Sequence, residues 1–206
     1  STKGMKEKDL NLKVAKLLKD DLAKTGFKVV LTRNKDVFLS LKERVDVAKK
    51  INADLFISIH ANSNRARFVR GVEFYYLSPV QFDSQERAGS LVKEKELWAS
   101  KGLSDEAQAI LWDMLLTKNY ALSVDFVNRL YSTFKNLGFK VRTPKSASFY
   151  VLKCASVPSI LIEMGYLSNK YEERSLGRKS YQKQISEAIA LSVVSLNKRY
   201  TSLVKK

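Results

Sequence analysis

Two short apolar runs limit what this chain can fold into more than any other feature. Residues 54–59 and 158–163 are almost wholly apolar, and each leads into a polar side chain, His60 in one case and Glu163 in the other. Runs this short and this apolar read as strands covered on both faces, the pattern of central strands in a sheet flanked by helices. His60 is the only histidine in 206 residues.

The segments between them alternate in period. Residues 9–25 carry Leu10, Val14, Leu17, Leu18 and Leu22 at helical spacing, with Gly26 as the stop. Residues 27–32 read as a strand. Ser40 and Glu43 form a capping box for a second helix that ends near Asn52, with Leu41, Val45 and Ala48 on one face. Residues 71–77 predict another strand. Ser104-Asp105 caps a helix through Leu116, and a longer one follows with Leu122, Phe126, Leu130 and Phe134 on a stripe and Gly138 past its end. Residues 148–152 are strand-like, and a last helix spans about 180–199. This order predicts a single α/β domain over 1–206, with a mostly parallel central sheet flanked by helices. Residues 79–103 change character: they are charge-rich, with few β-branched residues, and read as a helical or loop insertion.

Charge narrows the partners. Lys and Arg number 37 against 21 Asp and Glu, a formal net charge of +16. That balance favours a polyanionic environment such as nucleic acid, anionic lipid or an acidic wall polymer. There is no Arg-rich tract, zinc-finger spacing or RNA-binding aromatic signature, so no specific nucleic-acid partner is expected. No apolar run is long enough to span a bilayer. Ser1-Thr2-Lys3-Gly4 is not a signal peptide; for an exported protein the signal would be removed or left out. Cys154 is the one cysteine, which excludes an internal disulfide and a cysteine metal cluster, and it reads as unreactive packing.

Ligands in open α/β sheets collect at the carboxyl ends of parallel strands. His60 and Glu163 both stand at such ends, and Glu7, just ahead of the first helix, can project over the same edge. A histidine and a carboxylate are two of the three protein donors that a catalytic zinc site takes, and a second carboxylate can then act as base on water. The bland alternatives are a satisfied strand-end histidine and, for Glu7, a helix N-terminal charge. A carboxylate that closes an apolar strand is harder to explain that way, because burying it unpaired is costly. Arg33 and Arg44 can guide an acidic substrate or pair with Asp36 and Glu43. Asn62 can orient substrate or cap a turn. Tyr75, Tyr76 and Tyr150 read as core and cleft wall.

Four motifs carry a resemblance. Glu7-Lys8-Asp9-Leu10-Asn11-Leu12, Leu31-Thr32-Arg33 with Asp36, Leu41 and Arg44 downstream, Ser58-Ile59-His60-Ala61-Asn62, and the segment from Val157 through Glu163-Met164-Gly165-Tyr166-Leu167-Ser168-Asn169 resemble those of the zinc-dependent N-acetylmuramoyl-L-alanine amidases of bacteria, cell-division type included. They occur in the family's order over nearly the whole chain. The resemblance implies Zn2+ as cofactor, Glu7 and His60 as ligands, and Glu163 as the catalytic glutamate that activates the attacking water. The reaction it implies is hydrolysis of the amide between N-acetylmuramic acid and L-alanine in peptidoglycan, with stem peptides and glycan as substrate, for cell separation or wall remodelling. The expected location is periplasmic or extracellular.

The family carries a further zinc-binding histidine in a Gly-His-Gly-Gly loop after its first strand. Neither strand nor loop is in this sequence, so that histidine is expected upstream of Ser1. A catalytically inactive amidase-like domain that holds wall polymer or a divisome partner is the alternative. The family's cell-division members have an inserted helix that covers the active site. By that likeness 79–103 is a candidate regulatory insertion for an activator protein, with Glu86, Glu94 and Glu96 as possible autoinhibitory groups; a solvated charged loop is the plain alternative.

Overall fold

The computed structural model describes residues 4–78, 102–153 and 157–204. Helix α1 (Glu7–Ala23) buries Leu10, Val14, Leu18 and Leu22 along one stripe. It begins at Glu7, so Glu7 and Asp9 occupy its first turn, where the helix dipole favours negative charge. Helix α2 (Leu41–Lys50) opens on the expected capping box: the Ser40 hydroxyl accepts from the Glu43 N–H, and the Glu43 carboxylate accepts from the Ser40 N–H at 2.7 Å. Strand β1 (Phe56–Asn62), strand β2 (Glu73–Tyr76), helix α3 (Asp105–Asn136), strand β3 (Lys145–Ser146), a 3-10 turn (Tyr150–Leu152), strand β4 (Ser159–Tyr166), helix α4 (Lys170–Leu176) and helix α5 (Lys179–Val204) complete the described chain.

The sheet order is β1-β4-β2-β3. The two apolar runs are neighbours: β1 and β4 pair in parallel, with Ile59 level with Ile162 and His60 level with Glu163. β2 runs antiparallel to β4, and β3 parallel to β2, so two of the three pairings are parallel. With a partner on each side, β4 leaves Ile160, Leu161 and Ile162 at most 5% exposed.

Alternation along the strands divides the core in two. Phe74, Ile160 and Ile162 join the main cluster with the buried faces of α1, α3 and α5. Phe56 and Leu161 join a smaller cluster with Val45 and Ala48 of α2 and with Val151 and Leu152. His60 lies four residues beyond Phe56 and Glu163 two beyond Leu161, so both share the face of the second set.

Three expectations are corrected and one helix was missed. Residues 27–32 form no strand; Phe27 and Val29 pack on the main core, but the segment finds no ladder partner among the described residues. Apolar alternation can bury side chains, but a strand also needs a neighbour for its N–H and C=O groups. Residues 148–152 turn into 3-10 geometry, with Leu152 N–H donating to Phe149 C=O and Lys153 N–H to Tyr150 C=O. The two helices expected from 104 onward are one helix of 32 residues. Its buried stripe continues through the polar Asn119 and Ser123, which broke the apolar pattern in the sequence. Helix α4 was not anticipated, although Asn169 caps it in ordinary fashion by accepting from the N–H groups of Tyr171 and Glu172.

Buried Ser123 has a defined task. Its hydroxyl donates to the Asn119 carbonyl at 2.8 Å and accepts from the Ser159 N–H at 3.1 Å, which ties α3 to the first residue of β4. Ser123→Ala should leave that buried N–H unsatisfied and lower stability by about 1–3 kcal/mol. Urea denaturation measures this; an unchanged midpoint would mean the tie contributes nothing.

Candidate functional site

Three strands bring polar groups to one level. His60 on β1 is level with Glu163 on β4, and Glu163 is directly opposite Glu73 on β2. Directly paired residues project to the same face, and neighbouring strands lie about 4.8 Å apart. The result is a row, His60–Glu163–Glu73, above the smaller core at the carboxyl end of β1 and β4.

Glu7 reaches this row from α1. Its Oε1 accepts from His60 Nδ1 at 2.8 Å, from Asn11 Nδ2 at 3.0 Å and from the Ala61 N–H at 3.3 Å. The hydrogen bond from His60 is the main cause that holds the Glu7 carboxyl down at about 2, against the opposing effect of burial. His60 Nε2 lies 3.0 Å from Ser58 Oγ. With Nδ1 carrying the proton toward Glu7, Nε2 accepts from the serine hydroxyl.

Glu163 is treated differently by its surroundings. Its Oε2 is buried and has no hydrogen-bond partner among the described residues. Burial, then the negative charges of Glu7 and Glu73, raises its carboxyl to about 8. A carboxyl kept neutral by desolvation inside a polar row is a recognised mark of a functional position.

Glu73 was not singled out in the sequence. It is 3% exposed and is the best-connected carboxylate of the site. Oε2 accepts from Asn62 Nδ2 at 3.1 Å, Tyr75 OH at 2.9 Å and Tyr166 OH at 2.8 Å. Oε1 faces Arg142 Nε at 2.9 Å and Lys145 Nζ at 3.6 Å. Burial and the bond to Glu73 push both tyrosine hydroxyls above their ordinary pKa. The available signal was a carboxylate inside the apolar run Val72-Glu73-Phe74, the same signal that marked Glu163.

The remaining candidates fall into place or outside the described chain. Arg33 donates to the Lys8 and Lys35 carbonyls, and Arg44 to the Leu39 carbonyl, so both brace loops. Asn62 combines two tasks: its Nδ2 binds Glu73, and its Oδ1 accepts from Ser63 N–H as in a turn. Tyr75 packs edge-on to Phe149 with ring centroids 5.2 Å apart, whereas Tyr150 is 48% exposed. Glu86, Glu94, Glu96 and Cys154 lie outside the described residues.

Glu7 and His60 present an oxygen and a nitrogen to each other, the donor types that zinc accepts. The unpartnered Glu163 oxygen beside them is what a site for an additional group would leave. Among the described residues, no cluster of three or more His, Cys, Asp or Glu side chains completes a metal shell. The pair therefore fits two positions of such a shell.

Comparison with known proteins bears on this geometry. A family model described as N-acetylmuramoyl-L-alanine amidase matches residues 1–195, and members of that family are generally metal-dependent. The chain is 32% identical over 205 residues to N-acetylmuramoyl-L-alanine amidase AmiA of Escherichia coli (strain K12), covering 93% of this chain and 68% of that protein. It is 32% identical over 203 residues to a putative N-acetylmuramoyl-L-alanine amidase of Buchnera aphidicola subsp. Baizongia pistaciae, covering 97% of this chain and 88% of that one. Among solved structures, N-acetylmuramoyl-L-alanine amidase AmiC2 of Nostoc punctiforme superimposes with a TM-score of 0.69 at 31% identity, covering 95% of this chain and 86% of that one. A match across nearly the whole chain, on a fold that assembles the motif residues at one sheet edge, leads to one conclusion: the chain belongs to the N-acetylmuramoyl-L-alanine amidase family of peptidoglycan hydrolases.

Proposed function

We propose that this enzyme is a zinc-dependent hydrolase that cuts the amide between N-acetylmuramic acid and L-alanine in peptidoglycan, outside the cytoplasmic membrane, during cell separation or wall remodelling. One observation carries the reading. His60 and Glu163 share a level on paired strands, and Glu7 is held against His60 from 53 positions away, leaving Glu163 half-buried beside them with a buried oxygen that has no partner among the described residues.

In this reading Glu7 and His60 hold the metal, and a third donor comes from outside the described residues, with a histidine ahead of Ser1 as the expectation. When bound, the metal supplies Lewis acidity toward water and the scissile carbonyl. Glu163 takes the proton from the attacking water and hands it to the departing amine of L-alanine. Its low-dielectric surroundings suit it to both duties, because a carboxyl tuned upward from its ordinary range gives up a proton as readily as it takes one near neutral pH. Glu73, directly opposite Glu163, fixes Asn62 and Tyr166 through its Oε2.

A second reading is an inactive relative that binds wall polymer or a divisome partner. What favours it is that Glu7 and His60 already bond to each other and that no third His, Cys, Asp or Glu joins them in a metal shell among the described residues. The gene separates the two: a Gly-His-Gly sequence ahead of Ser1 supports the enzyme, and its absence favours the binding domain. Among the described residues, no helix is long and apolar enough to cross a membrane.

Three outcomes are expected. A form with its natural upstream residues should bind zinc and release stem peptides from wall sacculi. Glu163→Gln should keep the zinc and lose activity by at least about a hundredfold; retained hydrolysis would remove Glu163 from its role. The second outcome concerns pH. The Glu163 carboxyl is raised from its ordinary 4.5 to about 8, so in metal-free protein the unfolded chain ionises first as pH rises. Stability should fall from about pH 4.5 to about pH 8 and then level off. Melting curves of Glu163→Gln should lack that component, and parallel profiles for the two proteins would contradict the burial of the charge. Third, the segment 79–103 is proposed as a regulatory insertion that an activator protein addresses. Removing residues 84–103 should raise hydrolysis by the form with its natural upstream residues, and unchanged release of stem peptides would count against that role.

A further inference from the structure

The row across the sheet does not stop at Glu73. The chain that enters β3 runs beside β2: Val72 N–H donates to the Lys140 carbonyl, and Arg142 N–H donates to the Val72 carbonyl. Arg142 and Lys145 both come to Glu73 Oε1. Of these three charged groups only Glu73 is buried, with its side chain 4% exposed against 41% for Arg142 and 50% for Lys145. One buried negative charge facing two half-exposed cations leaves a surplus positive charge at the surface.

The form of the contact matters. Glu73 meets Arg142 through Nε, on the flank of the guanidinium. Among the described residues, the Arg142 side chain has no other acceptor. A guanidinium anchored through one edge is pre-organised to bind a carboxylate with its terminal nitrogens, which is the fork geometry that carboxylates select. Arg33 lacks this opportunity because both of its terminal nitrogens donate to backbone carbonyls, and Arg44, held through Nε by the Leu39 carbonyl, has no carboxylate behind it and no place in the row.

Distance fits a peptide. From His60 to Arg142 is three strand-to-strand steps, about 14 Å. An extended peptide advances about 3.4 Å per residue. With its scissile bond beside His60 and Glu163, its second or third residue would lie within reach of the Arg142 side chain. The geometry points to Arg142, braced by Glu73 and assisted by Lys145, as the receptor for a carboxylate on the stem-peptide side of the substrate, an inference that rests on the amidase reading above. Glu73 is then a positioning residue that acts through Arg142, and the site discriminates acidic from amidated stem peptides.

The test is binding, so that it does not depend on turnover. L-alanyl-γ-D-glutamyl-L-lysine with both carboxylates free is titrated into the full chain by calorimetry, alongside the same tripeptide with both carboxylates amidated. The acidic peptide should bind about tenfold more tightly, the scale of a charge-assisted pair. Arg142→Gln should abolish the preference and Arg142→Lys should restore part of it. Lys198→Gln, which removes an equal charge from exposed α5, should keep it. Peptides amidated at one position then identify which carboxylate is read. Equal affinity of the unaltered protein for the two peptides, binding of neither, or a full preference in a folded Arg142→Gln overturns the inference. Sacculus hydrolysis is scored separately: cleavage without carboxylate preference overturns this inference alone, and carboxylate preference without cleavage by the zinc-loaded protein overturns the amidase reading alone.

Discussion

The parallel pairing of β1 with β4 is the constraint on which the rest depends. It buries the two most apolar segments against each other and against helices on both faces, and it fixes a register that places His60 beside Glu163. A slip of one residue would turn the polar ends toward the main core and the isoleucines toward the smaller one. Such a slip is resisted by every apolar contact along the strands, so the chemistry inherits its alignment from hydrophobic burial. Ser123 reinforces the start of β4 from α3. At the other end, Glu172 accepts from the N–H groups of Tyr166 and Gly71, which locks the exit of β4 to the loop that enters β2. Gly165 makes this possible: at φ +141 its backbone favours glycine, and a Cβ would stand 3.3 Å from the Glu172 carboxylate.

Three carboxylates meet at that end of the sheet, and each is stabilised in a different way. Glu7 is held ionised by hydrogen bonds from His60, Asn11 and a backbone N–H. Glu73 has two cations and three side-chain donors, the full complement that a buried charge requires. Glu163 has neither, and the negative charges of its neighbours raise its carboxyl further. The contrast distinguishes the three groups better than burial does. Two carboxylates have partners that compensate their charge, whereas the third retains proton affinity, the property that the proposed role of Glu163 uses.

Much of this was legible in the sequence, and the gaps have physical causes. Apolar runs ending in His60 and Glu163 disclose two strands covered by helices; β4 is internal as read, whereas β1 stands at an edge of the sheet among the described residues, because an apolar run reports burial of side chains and not the number of strand neighbours. The Ser40–Glu43 cap is legible because it is local, made within one helical turn. The full length of α3 was hidden because Asn119 and Ser123 are buried polar residues, and their burial depends on partners that are distant in sequence or on the backbone. The segment 27–32 misled because alternation reports burial and is silent about hydrogen-bond partners. Glu7 was legible as a carboxylate at the head of the first helix that can reach the same edge, and the motif resemblance gave it an expected role; its contact with His60 spans 53 positions, which no local spacing encodes. Glu73 and Arg142 were missed because their association arises across a sheet edge, between segments that nothing in the intervening sequence links.

The large positive charge acquires a more specific meaning in this light. Many of the acidic residues are committed internally: Asp36 to Lys8, Asp46 to Lys42, and Asp21 to Lys183 and Ser186. The surplus of basic residues is therefore expressed toward solvent, where it draws an anionic polymer from a distance and weakens with salt. Such a field cannot tell one acidic polymer from another. Discrimination needs a cation whose orientation is fixed before the ligand arrives, and among the basic groups facing the row Arg142 has that property through buried Glu73. Long-range charge governs how often a wall fragment arrives, and the Glu73–Arg142 pair governs how it lies across the three strands once it is there.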